Sequence, residues 1–486
     1  MNISELAESL SWQEAVDVVV VGSGFAGLSA AIEAKTAGCS VLVLEKMQGY
    51  GGNSVISDGV VAAAGTSMQQ SHGIEDSSGK MFEDMLRAGL SLNHPELAWT
   101  VAAHSNEALE WTRALGARYQ DQVLAFGGHS RARSHPAHRT SGFSIIKPLL
   151  TRCHELGAAI ATRHKLTRLI RNEKGCVCGV RVRAGYRYPD RNSGSPRNIR
   201  ARLGVILAAG GFGNDLPLRT TQVPILNESV DSTNKVSTTG EVLRQAMRIG
   251  AMPVQLSRIQ LGPWASPDEK GYGVGPGFAS YIAMPFGITV NPATGRRFMN
   301  ETADRKTRTE ALFKIGRPCI CIADSLGVSQ SGSSIGKCLN KGVVREFPDL
   351  SALAKAFDIP EAPLMESIQA YNSAVAQGRP DPLGKTIHSG CAPLKHPPYY
   401  AMRVWPKVHH TMGGVQIDTR ARILDCMHQV IPGLYAAGEI TGGIHGACRL
   451  GSCAITDCLV FGRIAGKSTA EEESYLNRQD TTPTPN

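Results

Sequence analysis

The stretch that decides the fold is Val16-Asp17-Val18-Val19-Val20-Val21-Gly22-Ser23-Gly24-Phe25-Ala26-Gly27. A run of β-branched residues predicts a buried strand, the glycines predict a tight turn, and the segment 28–34 predicts a helix. In this pattern the first glycine makes the turn, the second admits a pyrophosphate, and the third lets helix and strand pack. The sequence therefore predicts a strand, turn and helix that bind dinucleotide phosphates at the helix N-terminus.

Two features extend the predicted nucleotide contact beyond this turn. The next strand, 40–44, ends at Glu45, where a carboxylate can accept a hydrogen bond from a ribose 2′-OH. A second glycine-rich loop follows at 51–54 and allows the backbone to come close to the dinucleotide. The predicted contacts of this region are Gly22, Gly24, Phe25, Ala26, Gly27, Glu45, Lys46, Gly51, Gly52, Asn53 and Ser54.

Two later strands also end in glycine turns. The segment 203–207 leads into Ala209-Gly210-Gly211, and the segment 433–437 leads into Gly438-Glu439. With the first strand and turn, the chain has three strands that end in glycine turns, far apart in sequence. They favour one sheet that lies along an extended dinucleotide over three separate nucleotide sites. We therefore add Ala209, Gly210, Gly211, Gly438 and Glu439 to the predicted cofactor contacts.

The last of these turns opens a glycine-rich stretch, 438–452, that also carries charge. It contains one histidine, His445, and one fixed cation, Arg449. Glycines allow close backbone approach to a ligand, and an arginine binds anions. The stretch therefore predicts the meeting point of a cofactor and an anion.

The composition excludes several classes of protein. The chain has 486 residues, of which 42% are hydrophobic and 19% charged, which is typical of a globular protein of two or three domains. No apolar run approaches the ~20 residues of a spanning helix, and we expect a soluble cytoplasmic protein without a membrane span. The twelve cysteines include no CxxC, no CxxCH and no metal spacing, so we expect reduced thiols, no metal and no c-type haem.

The net charge of +9 favours a small anionic substrate over nucleic acid, because the basic residues are scattered. One basic cluster remains open to two interpretations. His129, His135 and His138 lie near Arg131, Arg133 and Arg139 in a predicted loop. This loop is either a solvated basic surface or part of the lining of a site.

The chain divides by composition. Residues 259–408 have more proline and aromatic residues and fewer glycine turns, which predicts a second domain inserted into the first. We therefore predict a cofactor-binding domain formed by 1–258 and 409–471, an inserted domain at 259–408, and a flexible tail at 472–486.

Three motifs carry a family resemblance. They are Gly295-Arg296-Arg297-Phe298-Met299-Asn300-Glu301 with Arg305, then His409-His410-Thr411-Met412-Gly413-Gly414, and finally His445-Gly446-Ala447-Cys448-Arg449-Leu450-Gly451. With the glycine turns, they resemble the flavoprotein family of fumarate reductases and succinate dehydrogenases, especially the soluble flavocytochrome-like fumarate and urocanate reductases. The resemblance implies FAD and an α/β fold, with a Rossmann-like FAD-binding domain and an inserted α+β capping (clamp) domain that closes over the substrate.

The resemblance also implies roles for single residues. Arg305 is the proton donor to a substrate carbon, Glu301 belongs to its proton path, and His410 and Arg449 hold a substrate carboxylate. Arg449, Ser452, Ala454 and Ile455 join the cofactor contacts at the start of a predicted helix. In this family a histidine just beyond the first glycine-rich loop attaches FAD covalently. Residues 51–55 contain no histidine, so we expect non-covalent FAD.

The departures from the family pattern concern the substrate. In fumarate reductases, side chains at three positions hold the second carboxylate of fumarate. The corresponding residues of this chain are Gly262, Ala279 and Ser280. Losing each charge-assisted hydrogen bond forfeits ~1.5–3 kcal/mol, which disfavours a dicarboxylate. The predicted substrate pocket comprises Gly262, Trp264, Ala279, Ser280, Tyr281, His410, His445 and Arg449.

The sequence therefore predicts an FAD-dependent enzyme that reduces the C=C bond of an α,β-unsaturated carboxylic acid, with electrons from an external donor. The alternative is a dehydrogenase or oxidase that desaturates a saturated acid or a ketone such as a steroid. A third hypothesis is a non-catalytic electron-transfer flavoprotein. The substrate, direction, redox partner and oligomeric state are not determined by the sequence.

Overall fold

The computed structural model describes residue 7, residues 10–387 and residues 391–472. The chain forms two compact units. The first comprises Met1–Ile225, Val236–Ile259 and His410–Asn486, and the second comprises Leu226–Lys235 and Gln260–His409. The predicted tail at 472–486 lies outside the described residues apart from Glu472.

The strands are, in chain order, β1 (Glu14–Val21), β2 (Val41–Leu44), β3 (Val60–Ala62), β4 (Ser134–Pro136), β5 (Ala159–Ala161), β6 (His164–Arg171), β7 (Val177–Ala184), β8 (Ser195–Leu207), β9 (Pro253–Val254), β10 (Ile259–Gly262), β11 (Ile288–Val290), β12 (Cys319–Asp324), β13 (Arg345–Phe347), β14 (Tyr399–Val404), β15 (Lys407–Thr411), β16 (Gly414–Val415), β17 (Arg422–Leu424) and β18 (Val430–Ala436).

The α-helices are α1 (Phe25–Thr36), α2 (Ser67–Ser71), α3 (Ser78–Ala88), α4 (Pro95–Ala103), α5 (Ser105–Ala114), α6 (Phe143–Glu155), α7 (Leu216–Gln222), α8 (Glu241–Arg248), α9 (Gly275–Phe278), α10 (Met284–Phe286), α11 (Arg305–Ile315), α12 (Ser325–Ser331), α13 (Gly336–Asn340), α14 (Leu350–Ala356), α15 (Glu361–Ala376) and α16 (Cys453–Ala470). Residues Gly52–Ile56 form a 3₁₀-helix, and Ala279–Ala283 form a π-helical turn.

A parallel sheet forms the centre of the first unit. Its strand order is β17-β18-β8-β1-β2-β5, parallel from β18 to β5. β17 pairs antiparallel with β18, and β7 and β6 extend the sheet antiparallel from β8. In the register of this sheet, Val20 of β1 lies between Val43 and Ile206. The three strands that end in glycine turns, β1, β8 and β18, are direct neighbours. The prediction that these three strands belong to one sheet is therefore confirmed.

Glycines set the distance between the elements of this unit. A Cβ on Gly22 would lie 2.2 Å from the Ala208 carbonyl oxygen, and Gly22 has φ +114°. A Cβ on Gly27 would lie 1.9 Å from the Gly22 oxygen, so only glycine lets α1 start beside β1. On α16, a Cβ on Gly462 would lie 2.5 Å from the Ala26 oxygen. Consequently α16 packs closely against α1.

The second unit is built on a four-stranded antiparallel sheet, in the order β11-β12-β14-β13. Alternate residues of β12 enter two different cores. Cys319 and Cys321 pack with Trp264 and Phe278, whereas Ile320 packs with residues of α14 and α15. An antiparallel sheet with helices confirms the predicted α+β fold of this part.

One segment lies in a different unit from the one that the sequence analysis assigns. Residues Leu226–Lys235 belong to the second unit, although the prediction places them in the first domain. The reason is a set of hydrogen bonds to β15. The Thr233 amide donates to the Val408 carbonyl at 2.8 Å, and the Asn234 side chain donates to the His409 carbonyl at 2.8 Å. Partners this far apart in the chain leave no local pattern.

We find no helix among the described residues that has both the length and the apolar character needed to cross a membrane.

Candidate functional site

A cleft opens in the first unit at the carboxyl ends of the parallel strands, where ligands bind in open α/β sheets. Its empty volume is about 940 Å³, including space open to solvent. Most of the predicted cofactor contacts line it. They are Gly22, Gly24, Phe25, Ala26, Glu45, Lys46, Gly51, Gly52, Asn53, Ser54, Ala209, Gly210, Gly438 and Glu439.

The remaining predicted contacts do not line this cleft in the described structure. Gly27 serves helix packing, as described above. A Cβ on Gly211 would lie 2.2 Å from the Thr411 hydroxyl oxygen and 2.5 Å from Glu439 Oε1, so Gly211 leaves room for these side chains. Arg449 precedes α16, and Ser452, Ala454 and Ile455 lie at its start.

A chain of hydrogen bonds joins the two glycine-rich loops to Glu45. The Gly51 amide donates to the Ser23 hydroxyl at 2.9 Å, and this hydroxyl donates to Glu45 Oε2 at 2.6 Å. Glu45 Oε1 accepts from the Met47 amide at 2.8 Å. A carboxylate has about four acceptor positions, so Glu45 keeps capacity for a ribose hydroxyl. Ser23 also lines the cleft and was not among the predicted contacts.

The structure adds an ion-pair group that the sequence analysis missed. The Lys46 ammonium donates to the Ser237 carbonyl, the Thr239 hydroxyl and Glu241 Oε2 at 2.7, 3.0 and 2.9 Å. Lys165 binds Glu241 Oε1 at 2.6 Å. Burial acts to raise the pKa of Glu241, but the two lysines outweigh it and lower that pKa to about 2. All three donors of Lys46 are engaged within the protein.

These partners left no signal in the sequence. Lys46 and Glu241 lie 195 residues apart. Only the folded sheet and α8 bring them to the same side of the cleft. The predicted role of Lys46 as a cofactor contact therefore rests on its position in the lining and not on a free ammonium.

A buried cluster of histidines and acids adjoins this cleft. His410 Nδ1 lies 3.5 Å from Glu439 Oε1, and the ring of His410 lies 5.7 Å from the ring of His445. Arg449 is 4% exposed and donates from Nη1 to the Leu450 carbonyl at 2.7 Å. The first unit thus brings together His410 and His445, and Arg449 lies close enough for its charge to act on Glu439 beside them. All three are predicted substrate residues.

Glu439 links the cleft to this cluster. Burial raises its pKa to about 7, against the lowering effects of the Thr411 amide, which donates at 2.9 Å, and of the Arg449 charge. A carboxyl group with this pKa is partly protonated at neutral pH. It therefore opposes the positive charge of Arg449 less than an ionised glutamate would.

Asp457 is a residue of this cluster that the sequence analysis missed. It lies on α16, is 2% exposed, and its Oδ2 lies 3.2 Å from His445 Nε2. Its Oδ1 has no hydrogen-bond partner among the described residues. One sign of this role is visible in the sequence, because an acid within the largely apolar helix Cys453–Ala470 is unusual unless it has a buried partner. Within the described ranges, no three His, Cys, Asp or Glu side chains are arranged to hold a metal ion.

The basic loop is neither fully solvated nor fully buried. Arg133 and His135 are 0% exposed, whereas Arg131, His138 and Arg139 are exposed. His135 Nε2 lies 3.0 Å from the Thr66 hydroxyl. The sequence interpretation as a solvated surface is therefore wrong for Arg133 and His135.

Arg133 is the centre of a network that supports the Arg449 loop. It forms ion pairs with Asp76 and Asp84, and its Nη1 donates to His129 Nδ1 at 3.0 Å. His129 Nε2 lies 2.9 Å from the Gly451 carbonyl oxygen, which can only accept. His129 is therefore neutral with its proton on Nε2. Burial and the Arg133 charge lower its pKa to about 4.

The second unit holds the predicted proton donor. Arg305 is the first residue of α11, which Asp304 caps by accepting from the Lys306 and Thr307 amides. Arg305 Nη1 donates to Gln260 Oε1 at 3.3 Å, and its guanidinium lies 5.4 Å from the centre of the Trp264 ring.

Glu301 occupies a buried ion-pair network in the same unit. It is 1% exposed, and Arg297 donates to both of its oxygens at 2.9 and 2.6 Å. The Thr289 amide also donates to Oε1 at 2.8 Å, and Arg297 pairs with Asp381. These contacts favour a structural role for Glu301 over the predicted proton path, because Arg297 engages both oxygens.

The other predicted pocket residues, Gly262, Trp264, Ala279, Ser280 and Tyr281, also belong to the second unit. Gly262 ends β10, and Ala279–Tyr281 lie in the π-helical turn. Ala279 and Trp264 are buried, at 0% and 6% exposure.

The neutral His129 predicts a pH dependence of stability. In the unfolded chain His129 takes up a proton near pH 6.5, and in the folded chain only near pH 4. Stability therefore falls as the pH falls from ~6.5 to ~4, by at most ~1.4 kcal/mol per pH unit from this residue. We expect His129→Gln to flatten the plot of unfolding free energy against pH, measured by urea denaturation.

The matched control is His104→Gln, because the His104 side chain is 53% exposed and pairs with Glu107 at the surface. This variant should follow the wild-type curve. Parallel curves for wild type and His129→Gln would contradict the neutral state of His129.

Comparison with known proteins identifies the family. Residues 17–455 match the model of an FAD-binding domain. The chain is 42% identical to the acrylate reductase flavoprotein subunit of Shewanella woodyi, over 96% of this chain and 94% of that protein. It is 35% identical to a fumarate reductase (cytochrome) of Shewanella frigidimarina, over 97% of this chain and 81% of that one. The open conformation of a flavocytochrome c3 fumarate reductase superposes with a TM-score of 0.76 at 32% identity, covering 96% of this chain and 79% of that chain. The chain therefore belongs to the fumarate reductase and succinate dehydrogenase family of FAD-dependent oxidoreductases.

Proposed function

We propose that this protein reduces the C=C bond of an α,β-unsaturated monocarboxylic acid. The observation that carries the proposal is the buried cluster of Arg449, His410 and His445, which adjoins the cofactor cleft through Glu439. A fixed arginine with two histidines suits a carboxylate. The relative named acrylate reductase flavoprotein subunit supports a monocarboxylate as the substrate.

FAD fits the cleft, and we infer that it is bound non-covalently. The lining combines three glycine turns with Glu45 at the end of β2, as an extended dinucleotide requires. Residues Gly52–Ile56, just beyond the first of these loops, contain no histidine for covalent attachment. We expect acid precipitation to release all of the FAD into the supernatant. Yellow colour retained in the protein pellet would contradict this inference.

When bound, FAD supplies a hydride from N5 to the β-carbon of the substrate. Arg449 and His410 would hold the carboxylate and neutralise its charge. The loss of this charge makes the conjugated alkene more electrophilic at the β-carbon. Glu439 preserves this effect, because a partly protonated carboxyl group does not cancel the charge of Arg449.

Arg305 would then donate a proton to the α-carbon, which completes the saturated acid. An arginine with a pKa above ~12 is a weak acid, so it can serve only from a fixed position and with rapid re-protonation. The structure supports the first requirement. Arg305 starts a capped helix, donates to Gln260 and stacks on Trp264.

The two electrons of each turnover would come from an external donor, because the sequence has no CxxCH haem motif. The identity of this donor and the cytoplasmic location stay predictions.

The direction of the reaction has a direct test. We expect anaerobically photoreduced enzyme to be reoxidised by acrylate or cinnamate. Reoxidation by fumarate should be at least ~10-fold slower, because the enzyme has no charged side chain to bind its second carboxylate at the positions used in the family. The measurement is the return of flavin absorbance in a stopped-flow instrument. Reduction of the oxidised flavin by saturated acids, without reoxidation by any enoate, would establish the dehydrogenase instead.

The Arg449→Ala variant distinguishes an acid from a ketone substrate. For a ketone substrate, Arg449→Ala would leave the KM unchanged.

The role of Arg305 has a separate test. We expect Arg305→Lys to lower the turnover by ~10²–10⁴-fold without loss of FAD, because lysine does not place its proton at the guanidinium position. The matched control is Arg296→Lys, since the Arg296 side chain is 59% exposed in a surface pair with Glu366. Turnover of Arg305→Lys close to that of the control would remove Arg305 from the mechanism.

A further inference from the structure

Gly262 and Trp264 compete for the same space in the second unit. A Cβ built on Gly262 would lie 1.1 Å from Cζ3 of Trp264 and 2.0 Å from Cη2. These atoms belong to the six-membered ring of the indole. The backbone of residue 262 can therefore carry no side chain while the indole keeps its position.

Other contacts also fix the position of the Trp264 indole. Its ring meets the His409 ring edge to face, with centres 4.6 Å apart and an interplanar angle of 86°. His409 Nδ1 in turn lies 2.8 Å from the Thr233 hydroxyl. Trp264 is 6% exposed. Because the ring is enclosed, it cannot turn away to admit a larger residue at position 262 without repacking.

The Trp264 ring also sets the electrostatic environment beside Arg305. The Arg305 guanidinium lies 5.4 Å from the centre of the Trp264 ring. The face of an indole is electron-rich, so it attracts a cation and disfavours an anion. A substrate carbon protonated by Arg305 would therefore have an aromatic surface beside it. A second carboxylate beside this face would lose its water and meet an electron-rich ring.

We propose that Gly262 and Trp264 act as one selectivity element that restricts the enzyme to monocarboxylates. The inference rests on the proposed function and names the residues that set its substrate class. Trp264 fills the place that a side chain at position 262 would take, and it presents an electron-rich ring where a dicarboxylate would place its second charge. The two positions are therefore coupled, and a single exchange at position 262 cannot create a carboxylate holder.

The test compares wild type, Gly262→His, Trp264→Ala and the double variant. The measured quantity is kcat/KM for acrylate and for fumarate with chemically reduced enzyme. We expect Trp264→Ala to raise the ratio of fumarate to acrylate by about 10-fold, and the double variant by about 100-fold or more. Gly262→His alone should lose activity on both acids, because the imidazole and the indole need the same space.

The matched control is Trp405→Ala, a tryptophan of the same unit whose ring meets Phe313 at 5.4 Å. This variant should keep the wild-type ratio. A ratio within twofold of wild type in both Trp264→Ala and the double variant would overturn the proposal. Full acrylate activity in Gly262→His would also overturn it.

A stability measurement keeps the proposal testable if the histidine variants do not fold. We expect Gly262→Ala to lower the melting temperature of wild type but not that of Trp264→Ala, because the clash requires the indole. Equal shifts in both backgrounds would overturn the coupling. Failure of the proposed function would instead show in the wild type, as an absence of acrylate turnover.

Discussion

The approach of Gly22 to the carbonyl of Ala208 is the contact on which the first unit depends. It joins the ends of β1 and β8 so closely that no Cβ fits between them. Gly27 repeats this constraint at the start of α1, and Ser23 then bridges the Gly51 amide and Glu45. The cleft forms because backbone, and not side chains, occupies the carboxyl edge of the sheet. The glycine turns after β1, β8 and β18 all line this cleft.

A second constraint fixes the loop that carries Arg449. The His94 amide donates to the Gly443 carbonyl at 2.7 Å, and the Ala447 amide donates to the Gly89 carbonyl at 2.9 Å. His129 holds the far end of this loop at Gly451. Three hydrogen bonds from separate elements thus hold the loop that carries Arg449. A site that is rigid before its ligand binds loses little energy in reorganisation, which is how fixed charges stabilise a transition state.

Charge is distributed differently in the two units. The first unit buries two histidines beside acids, with Asp457 at His445 and Glu439 at His410. The second unit places Arg305 against an aromatic ring and neutralises Arg297 with Glu301 and Asp381. In the proposed function, the first arrangement supplies the groups that hold the carboxylate, and the second holds Arg305 in a fixed position.

The sequence by itself determined the parallel sheet, the glycine turns and half of the cleft lining, because a strand, a turn and a helix are local and each leaves a pattern within about thirty residues. It also determined the family, through short motifs that contain His410, Arg449 and Arg305. Only the tertiary structure decided how the charges pair. Lys46 meets Glu241, Arg133 meets Asp76 and Asp84, and Arg297 meets Asp381. Such pairs join residues that lie far apart in the chain, and their side chains follow no period in the sequence. The same holds for Gly262 and Trp264, since the identity of each residue was visible but their competition for one volume exists only in the folded chain.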